Sequence, residues 1–136
     1  MDPAAARAFV EENHRAVLVT HPADGEVQLS PVLVGLDQEG RAIISTRETA
    51  YKTHNLRRDP RASLCVMNDR FFGRWVRVDG TAEVLSLPDA MEPLVDYYRR
   101  LAGEHDDWDE YRRAMERERR VLLRITIEKA GPDKKG

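Results

Sequence analysis

Hydrophobic and polar residues alternate along much of this chain. Arg15-Ala16-Val17-Leu18-Val19-Thr20-His21 reads as a strand, closed by the turn residues Pro22-Ala23-Asp24-Gly25. Val27 to Leu36 reads as a second strand. Pro31 inside it has no amide hydrogen to give a ladder, so it predicts a sheet edge or a bulge. Asp37-Gln38-Glu39-Gly40 turns the chain into a third strand, Arg41 to Thr46. Ala62 to Met67 is a fourth. Arg74 to Leu85 is a fifth, where Trp75, Arg77 and Asp79 alternate with Val76 and Val78. Val121 to Ile127 is the last. Strands joined by short turns pair antiparallel. Six short strands in an open sheet would leave two unpaired edges, so the expected architecture is mainly β, a small barrel with peripheral helices.

The helical segments are marked by their ends. Asp2 can cap a helix running from Pro3 to about Asn13, with proline at the first helical position. Thr49 is the expected cap of a short helix to Arg58, stopped by Asp59-Pro60. Ser86-Leu87-Pro88-Asp89 has the form of a capping box, followed by an apolar stripe of Leu94, Tyr97, Tyr98 and Leu101 and a stop at Gly103. Asp106 or Asp107 caps a further helix carrying Trp108, Tyr111 and Met115. The stretch 102–108 then reads as a helix junction, with an interface cap as the alternative. Residues 1–129 form the expected single domain, and 130–136 a loose tail.

Composition adds two constraints. The 136 residues suit one domain, but 34% are charged and mean hydropathy is −0.60, so a large shared interface would help so modest a core. The single cysteine excludes an intramolecular disulfide. The first residues lack the basic start and apolar stretch of a secretory leader, and no apolar run approaches the roughly 18 residues of a membrane span. The expectation is a soluble cytoplasmic protein with no membrane partner.

Charge is segregated within a net of −2. Between residues 46 and 77 stand Arg47, Lys52, Arg57, Arg58, Arg61, Arg70, Arg74 and Arg77, against Glu48, Asp59 and Asp69. A basic segment in an otherwise acidic chain points to a local anionic partner and away from a nucleic-acid coat. Arg70-Phe71-Phe72-Gly73-Arg74-Trp75 mixes bases with aromatics, as single-strand binders do, but acidic stretches flank it on both sides. No nucleic-acid partner is expected.

Nucleophile and metal sets are missing. His14, His21, His54 and His105 show no metal-ligand spacing, and Cys65 sits mid-strand between Leu64 and Val66, where an inert thiol is expected. The chemistry gathers instead around Ser45-Thr46-Arg47 and Lys52. Hydroxyls at a strand end, the free amides of a helix start and an ammonium in its first turn make an anion site.

Lys52-Thr53-His54-Asn55-Leu56-Arg57-Arg58-Asp59-Pro60-Arg61-Ala62 resembles the signature of the pyridoxamine 5′-phosphate oxidase-like split β-barrel family. It is most similar to the branch of flavin/deazaflavin oxidoreductases that use coenzyme F420, common in actinobacteria. Val27-Gln28-Leu29-Ser30-Pro31-Val32 is similar to the family's second strand, and Asp79-Gly80-Thr81-Ala82-Glu83-Val84 to its fifth. The segments 98–108 and 119–123 resemble the C-terminal helix and strand of the F420 branch. One departure stands at Ala50, where related sequences often carry a second basic residue; Arg47 is the available substitute.

The resemblance implies a six-stranded antiparallel split β-barrel that forms homodimers, with two equivalent cofactor sites at the interface. Ser45, Thr46 and Lys52 with Thr53 would hold the cofactor phosphate. Gln28, Ser30 and the backbone around Pro31 would face the ring, and Asn55 would fix the helix start. Trp75 would reach in from the partner subunit, unless it is a cross-strand core aromatic. Arg47, Arg74 and Arg120 are candidates for the acidic tail or ring edge. The implied activity is an F420-dependent oxidoreductase, passing hydride from reduced deazaflavin to an electron-poor double bond of a small organic substrate. An FMN enzyme on the same barrel and a non-catalytic deazaflavin carrier are the alternatives. A deazaflavin gives hydride from its own ring, so no protein nucleophile is needed.

Overall fold

The computed structural model describes residues 1–135. In chain order the elements are α1 (Pro3–Glu12), β1 (Arg15–Thr20), β2 (Gln28–Leu33), β3 (Gly35–Leu36), β4 (Ala42–Arg47), α2 (Tyr51–Arg58), β5 (Arg61–Met67), β6 (Arg74–Leu85), α3 (Met91–Ala102), α4 (Trp108–Arg117) and β7 (Arg120–Lys135). The strands form one antiparallel sheet in the order β2-β1-β5-β6-β7-β4-β3.

Seven strands replace the six expected, because the segment from Val27 to Leu36 divides at Val34. The Val34 N–H donates to the His14 carbonyl at 2.7 Å, and His14 Nδ1 donates to the Val34 carbonyl at 2.8 Å. Both backbone groups of Val34 are thus taken out of the ladder. The residues before it pair with β1 and those after it with β4. These are the two ends of the sheet, so one short segment joins both edges and the sheet curls upon itself, consistent with a split barrel. Pro31 lies in β2, an edge strand, where its missing N–H costs no ladder bond.

The alternation predicts the interior well. Ala16, Leu18 and Thr20 of β1, Leu64 and Val66 of β5, and Val76 and Val78 of β6 are buried, as are Leu123 and Ile125 of β7. α1 adds Ala6, Phe9 and Val10 to this cluster, and α2 adds Leu56. Each such aliphatic side chain contributes roughly 1.5–3 kcal/mol on burial. A second cluster lies on the other side of the sheet. There Ile43 and Leu122 pack under Leu94 and Val95 of α3 and Tyr111 and Met115 of α4.

Several ends differ from expectation. Residues 130–135, expected as a loose tail, continue β7 and pair along β6 as far as Arg74 opposite Lys135. The apolar pattern stops at Ile127, but β6 offers twelve residues of partner, and backbone pairing needs no apolar side chain. Gly136 lies outside the described residues. α3 begins at Met91, after a turn in which Ala90 N–H donates to the Ser86 carbonyl at 2.9 Å, so Ser86 is not its cap. α1 keeps its expected cap, with the Asp2 carboxylate accepting from Ala4 N–H at 3.0 Å.

Candidate functional site

β4 runs into α2 through a turn of three residues, Glu48 to Ala50. Ala50 is the N-cap and offers no side-chain bond, so the expected Thr49 cap is absent. Thr53 does this work from inside the helix. It is fully buried, and its Oγ1 donates to the Arg47 carbonyl at 2.6 Å. A hydroxyl so placed ties α2 to β4 and does not face a ligand. From the other direction, Glu48 N–H donates to the Arg119 carbonyl at 2.8 Å, which docks the start of β7 on the same turn. Arg119 adopts φ of 53°, the left-handed region that a side chain disfavours. That corner turns the chain from α4 into β7 and places Arg120 opposite Arg47.

These elements enclose a cavity of about 570 Å³. Ser45, Thr46, Lys52 and Arg120 line it, together with Glu118. Pro31, Val32 and Leu33 of β2 form one wall, and Tyr97, Tyr98, Tyr111 and Met115 of α3 and α4 another. Burial, and secondarily the neighbouring Arg120 charge, hold the Lys52 ammonium below the ordinary lysine range. Lys52 has no ion-pair partner among the described residues. Glu118 offsets the Arg120 charge at 2.8 Å, which leaves the Lys52 ammonium as the cation an incoming anion would meet. Ser45 and Thr46 are consecutive in β4, so one hydroxyl faces each side of the sheet, and Thr46 is the buried one. With Lys52, Arg120, the Ser45 hydroxyl and an aromatic wall, the donor set fits a phosphate attached to a flat ring system.

Of the other expected residues, Arg47 stands beside this cavity and the rest are placed elsewhere in the protomer. The Gln28 side-chain carbonyl accepts from Asn55 Nδ2 at 2.8 Å, and the same nitrogen donates to Thr20 Oγ1 at 3.1 Å. This clamps α2 onto β1 and β2, the anchoring role expected of Asn55. Ser30 lies opposite the buried Leu18. Arg47 is exposed, with its guanidinium 3.8 Å from Glu118. Arg74 is remote from the cavity; it pairs with Asp133 at 3.2 Å and lies over the Phe9 ring. Trp75 lines a different and larger cavity, about 830 Å³. Arg61 and Arg77 of the larger cavity are paired, with Asp59 at 2.6 Å and Asp79 at 3.0 Å, and its Lys129 is exposed, whereas Lys52 of the smaller one is a half-buried lysine without an ion-pair partner among the described residues.

The sequence matches the pyridoxamine 5′-phosphate oxidase family over residues 2–132. The chain belongs to this family. Solved structures similar to it include the conserved hypothetical protein Rv2991 from Mycobacterium tuberculosis, 27% identical, with a TM-score of 0.75 over 96% of this chain and 82% of that one. An F420 reductase is 17% identical, with a TM-score of 0.69 over 92% of this chain and 94% of its own. The heme storage protein HutZ from Vibrio cholerae is 18% identical, with a TM-score of 0.70 over 98% and 95%. The last two likenesses concern the fold alone.

Within this oxidase-family barrel, sequence reasoning missed Glu118 and Tyr97 as site residues. Glu118 Oε1 accepts from Arg120 Nε at 2.9 Å and lies 2.8 Å from its Nη2. Tyr97 Oη donates to the Leu33 carbonyl at 2.8 Å and so pins α3 across the gap beside β2. Burial pushes the Tyr97 phenol up, so it stays a donor. The junction 102–108 does link α3 to α4, and His105 and Trp108 there pack with Tyr98 and Tyr111 at ring separations of 5.0–5.7 Å. Burial also pushes the Cys65 thiol up, which keeps it protonated and a poor nucleophile. No helix among the described residues is long and apolar enough to cross a membrane.

Proposed function

We propose that the protein is a coenzyme F420-dependent oxidoreductase acting on an electron-poor double bond of a small organic substrate. The observation that carries this reading is the cavity in which Ser45 and Arg120 converge on Lys52, a half-buried cation without an ion-pair partner among the described residues. The resemblance of the Lys52–Ala62 signature to the F420 branch supports it, and so does the shared fold of an F420 reductase.

Lys52 and Arg120 would hold the phosphate, with the Ser45 hydroxyl as a further donor. Pro31 to Leu33 and the Tyr98–Tyr111–Met115 wall would flank the ring and exclude water. The bound cofactor supplies hydride chemistry from its ring, and the protein supplies binding, orientation and electrostatics. Charge-assisted hydrogen bonds to the phosphate contribute roughly 1.5–3 kcal/mol each.

A homodimer belongs to this reading. Val27, Leu29 and Leu33 of the β2 region are more than half exposed, on the side of the sheet that carries Trp75. Burying them against a second copy would place Trp75 at the interface, where it is proposed to reach the partner's cofactor. The expected cytoplasmic location goes with a diffusible cofactor and substrate.

Titration of the purified protein with F420, FMN and heme side by side, followed by fluorescence or absorbance, tests the assignment. Tight F420 binding, followed by turnover across a panel of enones and quinones, is the expected result. Preference for FMN would move the protein to the flavin enzymes of the same barrel. F420 binding without turnover would make it a carrier. Preference for heme would overturn the reading.

A further inference from the structure

We infer that Tyr97 is a positioning residue for the cavity: its hydroxyl spans the split between β2 and β4 in place of a missing strand-to-strand hydrogen bond, and so sets how far apart those two walls stand. The consequence for binding rests on reading the cavity as the cofactor's phosphate site.

The split opens where a ladder would otherwise continue. β3 and β4 pair with Leu36 opposite Ala42 and Gly35 opposite Ile43. Continued by two residues, the same register sets Leu33 opposite Ser45. The Asp37 N–H donates to the Arg41 carbonyl at 2.9 Å, so the backbone of Arg41 faces the β3 side. Backbone groups alternate sides along an antiparallel strand, so those of Ile43 and Ser45 face that side too, away from β7. The ladder stops because His14 holds both backbone groups of Val34 and draws the chain away before Leu33.

Tyr97 Oη stands in the gap. It donates to the Leu33 carbonyl at 2.8 Å. Burial dominates the Tyr97 ionisation and pushes it up, but the Ser45 backbone amide lies close enough to act against that rise. One oxygen thus serves the carbonyl of one edge and the amide of the other. α3 fixes this oxygen without help from a ligand. Arg100, three residues on, donates to the Leu36 carbonyl at 3.0 Å and to Asp96 at 2.8 Å. The helix lies so near this corner that a Cβ at Gly35 would meet Leu101 Cδ1 at 2.5 Å. Leu33, Ser45 and Tyr97 all line the cavity. The bridge therefore governs where Ser45 presents its hydroxyl and how near the β2 wall stands.

Tyr97→Phe tests this, because phenylalanine keeps the ring and removes only the bridging oxygen. Amide hydrogen exchange of the free protein, read by NMR, and F420 titration are measured for wild type and variant. In wild type the Ser45 amide should be protected, although no strand pairs with it on that side. In the variant it should exchange about tenfold faster or more, while Ile44 and Thr46, which face β7, keep their rates. F420 affinity should fall about 2- to 12-fold, the worth of one neutral hydrogen bond, with the melting temperature within about 5 °C of wild type. A Ser45 amide that exchanges freely in wild type overturns the inference whether or not the variant folds. An amide equally protected in Tyr97→Phe overturns it as well. So does accelerated exchange with unchanged F420 affinity, since the bridge would then position nothing. Faster exchange along the whole of β4 with a large fall in melting temperature would make Tyr97 a structural residue and counts against the inference in the same way. Failure of wild type to bind F420, with the Ser45 amide behaving as expected, removes the underlying site reading and leaves the bridge standing.

Discussion

Replacing Lys52 by methionine separates binding from folding at the cavity. Methionine keeps an unbranched stem in the half-buried position and removes only the ammonium. In the free protein that ammonium is unfavourable, because burial and Arg120 both hold its ionisation below the ordinary lysine range. The unfolded chain binds that proton more tightly than the folded one. Stability therefore rises with pH between the lowered folded value and the ordinary lysine range, and neutral pH carries the full penalty. The variant should melt at the same temperature as wild type or slightly above it, and should lack that alkaline rise. Anion binding should move the opposite way. Losing one charge-assisted contact of roughly 1.5–3 kcal/mol weakens affinity by about 10- to 150-fold. Calorimetric melting of the free protein and cofactor titration of the same preparation read the two effects. A melting temperature several degrees lower would show Lys52 to be structural, and an unchanged Kd would remove it from the site.

Thr53→Val should cost about 1–2 kcal/mol in urea denaturation, since it deletes a buried donor to the Arg47 carbonyl, and should weaken cofactor binding less than Lys52→Met does. Gly80→Ala should cost about 3 kcal/mol or more, because a methyl group there collides with the Thr126 backbone carbonyl at the irregularity between Asp79 and Gly80; wild-type stability would refute the tight crossing of β6 and β7. Burial pushes the Tyr111 phenol up to about 12, so its folded form keeps the proton that the unfolded chain releases near 10. Stability should fall between pH 10 and 12, and melting curves of Tyr111→Phe should show a shallower fall.

Much of the barrel was legible because period-two alternation and turn residues report burial locally. The strand Arg74–Leu85 and the caps at Asp2 and Asp107 follow from such short-range signals. The division at Val34 does not, since it depends on His14, twenty residues away, claiming both backbone groups. The basic segment was overread for a related reason. Arg57, Arg61, Arg74 and Arg77 meet Glu48, Asp59, Asp133 and Asp79, so several of its charges are satisfied within the protomer. Ser45, Thr46 and Lys52 were visible as a strand-to-helix junction. Glu118 and Tyr97 were not, because only the return of β7 and the docking of α3 bring them to a junction that lies far earlier in the chain. Gln28 and Thr53 have polar side chains at promising positions, but the fold uses both as internal ties.

A crystal structure of the protein grown with F420 bears most directly on the central claim. The account predicts the phosphate within hydrogen-bond distance of Lys52 and Arg120, beside the Ser45 hydroxyl and under the tyrosine wall. A cofactor seated in the larger cavity around Cys65 and Arg77 of its own protomer, with Lys52 still lacking an anion, would contradict it.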